Sequence, residues 1–162
     1  MDSLNAPVPG AVRRIASDLA PHLAAFDRLR DRPSLVVKRF EGHVDRVAVR
    51  EALAGAPAVE ACVAGVDYFA DPERGPGPVV YLAVESPGLH RIHRRLVDRF
   101  GAVPGLEGAE YVPHVTLARG GDVAAAERLA DRSVDPVTWT VSRLDCWDAE
   151  HDERVGSIAL PA

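Results

Sequence analysis

Lysine is almost missing from this chain: of 19 basic residues only Lys38 is a lysine, and the rest are arginine. A GC-rich coding sequence is the simplest source of that bias. Basic residues are also outnumbered, and the net charge of −5 excludes an overall basic field for bulk nucleic-acid binding. A phosphate ligand would have to be held locally, in a cleft. Two cysteines, Cys62 and Cys146, are too few for a disulfide scaffold and are not spaced as metal ligands. No apolar run approaches the ~18 residues of a membrane span. The first residues, Met1 to Asn5, lack the basic start and apolar stretch of a signal peptide, so the expectation is a cytoplasmic protein. Aromatics are scarce, at 6%. No P-loop, dinucleotide fingerprint or nucleophile elbow appears.

What is present is an ordinary globular composition, 47% apolar and 27% charged over 162 residues. That length suits one domain, or two small lobes sharing a core. A chain of this size buries about 70% of its unfolded surface and needs no covalent staple.

The chain resembles itself. Ser3–Gly10 matches Tyr81–Gly88 at an offset of 78, and each segment leads into a helical pattern. Val12, Ile15, Leu19 and Leu23 share one helical face, as do Leu89, Ile92, Leu96 and Phe100. Pro9 and Pro87 sit where a proline opens a helix, with Ser86 as a cap. A β-rich segment follows in each half, 34–40 and 114–119, offset by 80. Short helical stretches near 44–54 and 123–130 come next. Val59–Phe69 then matches Val137–Trp147 at 78, and Val79–Val84 matches Val155–Leu160 at 76. The turn-rich joins at 71–78 and 148–153 read as hairpins and favour antiparallel pairing. The expected fold class is therefore α+β: two pseudo-symmetric lobes, each a mainly antiparallel sheet with helices, around a central cleft. The halves run about 1–80 and 81–162, in one bilobal domain. The glycine-punctuated stretch from Gly101 to Pro113 is expected to form a rim of that cleft.

The candidate chemistry lies in Pro113-His114-Val115-Thr116-Leu117. In a strand, positions i and i+2 share a face, so an imidazole and a hydroxyl would project together. The imidazole moves a proton near neutral pH, and the hydroxyl donates to a phosphate oxygen. On its own a His-x-Thr tripeptide also fits a strand with one polar face.

Taken with the repeat, the segment Glu110–Arg119 makes the chain resemble the 2H phosphoesterase superfamily of RNA 2′,3′-cyclic phosphodiesterases and 2′-5′ RNA ligase-like proteins. The resemblance implies two similar lobes, each giving one His-x-Thr/Ser strand to a central cleft. It also implies a metal-free, cofactor-free phosphodiesterase whose two histidines act as general base and general acid. The expected partner is a nucleotide or RNA end carrying a 2′,3′-cyclic phosphate. Here only His114 and Thr116 carry over, as catalytic residues. In the first lobe Ser34 stands where the family has histidine, and Val36 where it has threonine or serine. Ser34 can hold a phosphate oxygen but cannot shuttle a proton at neutral pH. Loss of one acid–base partner typically costs ~10²–10⁴ in rate, so impaired turnover is expected.

By strict strand alternation Lys38 shares a face with Ser34 and Val36, and is expected to bind phosphate as a point charge. Arg39 and Arg119 fall on the other parity and read as surface arginines. His22 ends the first helix, where a cation suits the dipole. His43 follows the Ser34 strand in a turn and could swing into the cleft. His90 and His93 lie beside Arg91, Arg94, Arg95 and Arg99 on a face that reads as solvated helix. Tyr111, Phe69 and Trp147 could stack a base. However, the equivalent repeat positions of Phe69 and Trp147 favour core packing. The competing functional reading is a non-catalytic nucleotide- or RNA-binding module that keeps the phosphate cleft. The chain is expected to act as a monomer.

Overall fold

The computed structural model describes residues 1–161. Its strands are β1 (Asp2–Ala6), β2 (Arg28–Leu29), β3 (Leu35–Phe40), β4 (Val59–Phe69), β5 (Val79–Glu85), β6 (His114–Arg119), β7 (Val137–Val141), β8 (Arg143–Asp148) and β9 (Glu153–Ala159). The α-helices are α1 (Gly10–Leu19), α2 (Arg46–Ala52), α3 (Pro87–Phe100) and α4 (Val123–Ala130). The strands form one antiparallel sheet in the order β7-β4-β5-β6-β3-β1-β8-β9, with β2 added beside β6. β7 runs through Ser142 directly into β8, yet the two lie far apart in that order, so the sheet curls. No helix among the described residues is long and apolar enough to cross a membrane.

The arrangement is the expected α+β one, with a pseudo-two-fold between β3 and β6. The two strands meet at Leu35 and Val115, themselves 80 residues apart. Both 71–78 and 148–153 are hairpin joins, linking β4 to β5 and β8 to β9. The helix starts follow from sequence. Ser86 Oγ accepts from Leu89 N at 3.1 Å and caps α3 ahead of Pro87. Asp45 and Asp122 cap α2 and α4 in the same way. Gly101 ends α3 at φ +80°, a conformation unfavourable for residues with a Cβ.

Four details depart from the sequence reading. The first helical pattern stops being α-helical at Leu19 and continues as a 3₁₀ turn through Leu23, because Pro21 cannot donate to the helix ladder. Val137–Trp147 is two strands, broken at Ser142, whose carbonyl accepts from Leu160 N. Asn5 and Tyr81 hold the same place relative to β3 and β6, which makes the offset of that first strand pair 76. Finally, β9 is not the counterpart of β5: it pairs with β8 at the sheet edge, whereas β5 lies between β4 and β6.

The core lies under the helix-covered face. Leu35, Val37, Leu82 and Val115 from the central strands are buried with Leu89, Ile92 and Leu96 of α3. α3 approaches the sheet closely because Gly88 has no side chain. A Cβ there would sit 2.4 Å from Val59 Cβ.

Candidate active site

β3 and β6 each contain a bulge. Leu4 pairs with Lys38 and Asn5 with Val36, leaving Val37 unpaired in register. Val80 pairs with Ala118 and Tyr81 with Thr116, leaving Leu117 unpaired. An extra residue in a strand flips the facing of everything after it. The two segments consequently share one burial pattern: Ser34, Val36 and Arg39 are half-buried, as are His114, Thr116 and Arg119, and the residues between them are buried. All six half-buried side chains line a single cleft of about 600 Å³. Antiparallel pairing at Leu35 and Val115 sets Ser34 across from Thr116 and Val36 across from His114.

His114 Nδ1 lies 2.6 Å from the Val112 carbonyl. A carbonyl can only accept, so Nδ1 carries the proton and Nε2 is the free lone pair of the neutral ring. Phe69 packs edge-on against the imidazole at 5.4 Å, and Tyr81 lies 5.1 Å away. Burial lowers the His114 pKa below the ordinary histidine value. The Val112 bond opposes this, and Arg39, Arg30 and Arg119 push the same way as burial. The ring is thus held as a neutral base. Tyr81 stays a neutral phenol, its pKa pushed up to about 12 chiefly by burial.

Five arginines line the cleft: Arg28, Arg30, Arg39, Arg74 and Arg119. Among the described residues none of them is ion-paired. Three carboxylates, Asp71, Glu73 and Glu110, line the same cleft. Arg39 is the notable case: its guanidinium is partly desolvated, and burial lowers its pKa.

Lys38 corrects the sequence reading. The Val37 bulge turns it away from Ser34 and into the interior, where it is 2% exposed. Its ammonium bonds Glu107 Oε2 at 2.7 Å and the Arg39 carbonyl at 2.5 Å. Glu107, also 2% exposed, accepts from Arg39 N and Val103 N as well. Lys38 therefore ties the Gly101–Pro113 segment to β3, and Arg39 takes the cleft position that alternation gave to lysine. The same bulge logic places Arg119 in the cleft.

The remaining candidates scatter. His93 is buried: Nδ1 donates to the Val37 carbonyl at 2.7 Å, and Nε2 accepts from Gly108 N at 2.9 Å. Tyr111 stacks on it at 3.8 Å and donates to the Val36 carbonyl, so this tyrosine is committed to structure. The Gly101–Pro113 segment that they hold does form a rim, contributing Gly105, Leu106, Glu110, Tyr111 and Val112 to the cleft. His43 lies outside the cleft, 3.2 Å from Asp2. His22 is exposed, and Arg95 donates to carbonyls at the end of α2. Phe69 lines the cleft and Trp147 does not, and neither belongs to the buried core, so the core packing expected of both is corrected. Sequence reasoning missed Arg28, Arg30 and Arg74 entirely; all three sit in short or irregular segments that carry no periodic signal.

The model of the 2′-5′ RNA ligase superfamily matches residues 16–153. The chain belongs to that superfamily. Its fold is similar to the crystal structure of TT0787 of Thermus thermophilus, at 17% identity and a TM-score of 0.68, covering 99% of this chain and 98% of that one. It is also similar to E. coli LigT in complex with 3′-AMP, at 16% identity and a TM-score of 0.66, with the same coverage. No curated protein matches the chain.

Proposed function

We propose that this superfamily member is a single-histidine phosphodiesterase acting on RNA-type 2′,3′-cyclic phosphates, with the cleft between β3 and β6 as its active site. The observation that carries the reading is the neutral His114, its Nε2 free beside Thr116 and facing unpaired arginines in one cleft. A LigT structure of the same fold holds 3′-AMP, which is consistent with a nucleotide in such a cleft.

In this reading the cyclic phosphate lies between the two strands. Thr116 Oγ1 and Ser34 Oγ donate to its non-bridging oxygens, and Arg39 supplies charge. His114 Nε2 takes a proton from the attacking water as the new P–O bond forms in line with the breaking one. The ring opens, and the electron pair leaves on a ribose oxygen. In the relatives' pattern a second histidine would protonate that oxygen. Ser34 cannot, so the alkoxide leaves against arginine charge and takes its proton from solvent, and turnover is slow.

Incubating the purified chain and its His114→Ala variant with a 2′,3′-cyclic nucleotide tests this directly. His114-dependent opening of the ring is the expected result. Tight binding of 3′-AMP with no turnover would move the conclusion to a nucleotide-binding module, the reading that the missing first motif favours.

A further inference from the structure

The cleft holds more positive charge than one phosphodiester uses, and that charge is grouped. β2 pairs with the far end of β6 so that Arg28 lies directly across from Arg119. Arg30 follows, its backbone N–H bonded to the carbonyl of the bulged Leu117. Like charges set directly opposite on paired strands repel. The Arg119 pKa is lowered first by burial and then by Arg30 and Arg28. None of the three meets a carboxylate within ion-pair distance among the described residues, and Asp71, Glu73 and Glu110 elsewhere in the cleft leave them unpaired. Arg119 is also held in place. Its Nη1 donates to the Arg74 carbonyl at 3.1 Å, over Gly75, where a Cβ would come within 2.1 Å of that nitrogen. Gly75 adopts φ +74°, so glycine is favoured there on backbone grounds too.

We infer that the Arg28–Arg119 pair, with Arg30, forms a second anion subsite in the cleft, which takes a further phosphate on the nucleotide whose first phosphate sits at His114. Thr116 and Arg119 are three residues apart on a bulged strand, which separates the two subsites by roughly 7–10 Å. That is the scale of a ribose carrying phosphates on both sides. The inference rests on the cyclic-phosphodiesterase reading and narrows its substrate. The cleft prefers a terminal nucleotide still joined through its 5′ phosphate to a strand over a free nucleoside cyclic monophosphate. A guanidinium is suited to this task because its planar fork grips phosphate oxygens in pairs.

Calorimetry with two stable probes, 3′-AMP and adenosine 3′,5′-bisphosphate, tests the subsite on the wild-type chain and on Arg28→Ala and Arg119→Gln. Arg28 is exposed on a two-residue strand, so Arg28→Ala keeps the test valid if Arg119→Gln disturbs the turn at Gly75. The wild type is expected to bind the bisphosphate at least ~10-fold more tightly, the scale of one charge-assisted bond pair. In each folded variant that advantage should largely disappear. The 3′-AMP affinity should fall less than the bisphosphate affinity in both variants, because the removed charge lies beyond contact with the first phosphate and acts on it only through an attraction that salt screens. Equal affinity of the wild type for both probes would overturn the second subsite and leave the first standing. A bisphosphate advantage that survives in both variants would overturn the assignment to these arginines. Binding of neither probe would overturn the underlying phosphate reading and the subsite with it.

Discussion

Ser34–Arg39 and His114–Arg119 follow one backbone plan and carry different chemistry. In each, two alternating cleft positions are followed by a bulge and then an arginine in the cleft. In β6 the alternating positions are His114 and Thr116. In the β3 half they are Ser34 and Val36. The inward residue after the bulge differs as well, a small Ala118 in β6 and the ion-paired Lys38 in β3, both buried. The β3 half has what shapes the cleft but, with Ser34 and Val36 there, no side chain that would move a proton near neutral pH. Geometry is set by backbone register and burial, which many side chains satisfy. Proton transfer needs one residue type with a free lone pair near neutral pH.

The largest break in that comparison should come from removing chemistry on one side only. His114→Ala is expected to lower turnover of a 2′,3′-cyclic nucleotide by ~10²–10⁴, the usual contribution of a general base. Ser34→Ala removes one hydroxyl donor to the anionic phosphate and should cost roughly 10-fold, the low end for a hydrogen bond to a charged group. Comparable losses from the two variants in steady-state assays would mean that the halves share the work after all.

The next effect is on stability and concerns the inward position. Lys38→Met breaks an ion pair that is nearly inaccessible to water and strands the Glu107 carboxylate. Removing one partner of such a pair typically costs about 3–5 kcal/mol. Urea unfolding should show a loss of that size for Lys38→Met and a smaller one when Glu107→Gln is added. A change under about 1 kcal/mol would instead indicate a surface-like lysine.

Lys38 also shows where sequence reasoning stopped. Element order, the caps at Ser86 and the hairpins were legible because turn residues and helical periodicity are local signals. The cleft could be named because His114-Val115-Thr116 sits in a recognisable strand. Bulges at Val37 and Leu117 left no local mark: Leu35-Val36-Val37-Lys38-Arg39 reads as a plain strand. Strict alternation therefore exchanged the roles of Lys38 and Arg39. His93 was misplaced for a related reason. It lies on a helix rich in arginine, and only the packing of the Gly101–Pro113 segment over it makes it a core residue with both nitrogens bonded. Contacts set by a long irregular loop are invisible to a periodic pattern.

Restoring the missing chemistry should give a smaller effect than deleting what remains. Ser34→His with Val36→Thr puts both motif residues into a half whose backbone already matches. The double variant is expected to open a 2′,3′-cyclic nucleotide at least ~10-fold faster than wild type, the conservative end of what a second acid–base group supplies. The gain should vanish with His114→Ala, because paired groups act as one unit. A folded variant that stays at the wild-type rate would show that the β3 half has diverged beyond these two positions.

The finest test of the comparison is the shape of the pH profile. Among the residues lining the cleft, His114 is the only histidine. As a general base it must be neutral. Its pKa is lowered by burial, with Arg39, Arg30 and Arg119 adding to the shift. Activity should therefore be fully present above the ordinary histidine range and be lost as pH falls through the lowered His114 value. On the acid side one proton is involved, so log kcat/KM should fall about one unit per pH unit. No fall is expected on the alkaline side near neutrality, since no second acid–base group there must stay protonated. The profile of the wild type should thus have a single limb. In Ser34→His, Val36→Thr the new imidazole must stay protonated to serve as the acid, and the profile should become bell-shaped. A wild-type bell would reveal a second titrating group in the reaction. A wild-type rate that instead rises as pH falls would reverse the role of His114, making it the acid that protonates the leaving oxygen.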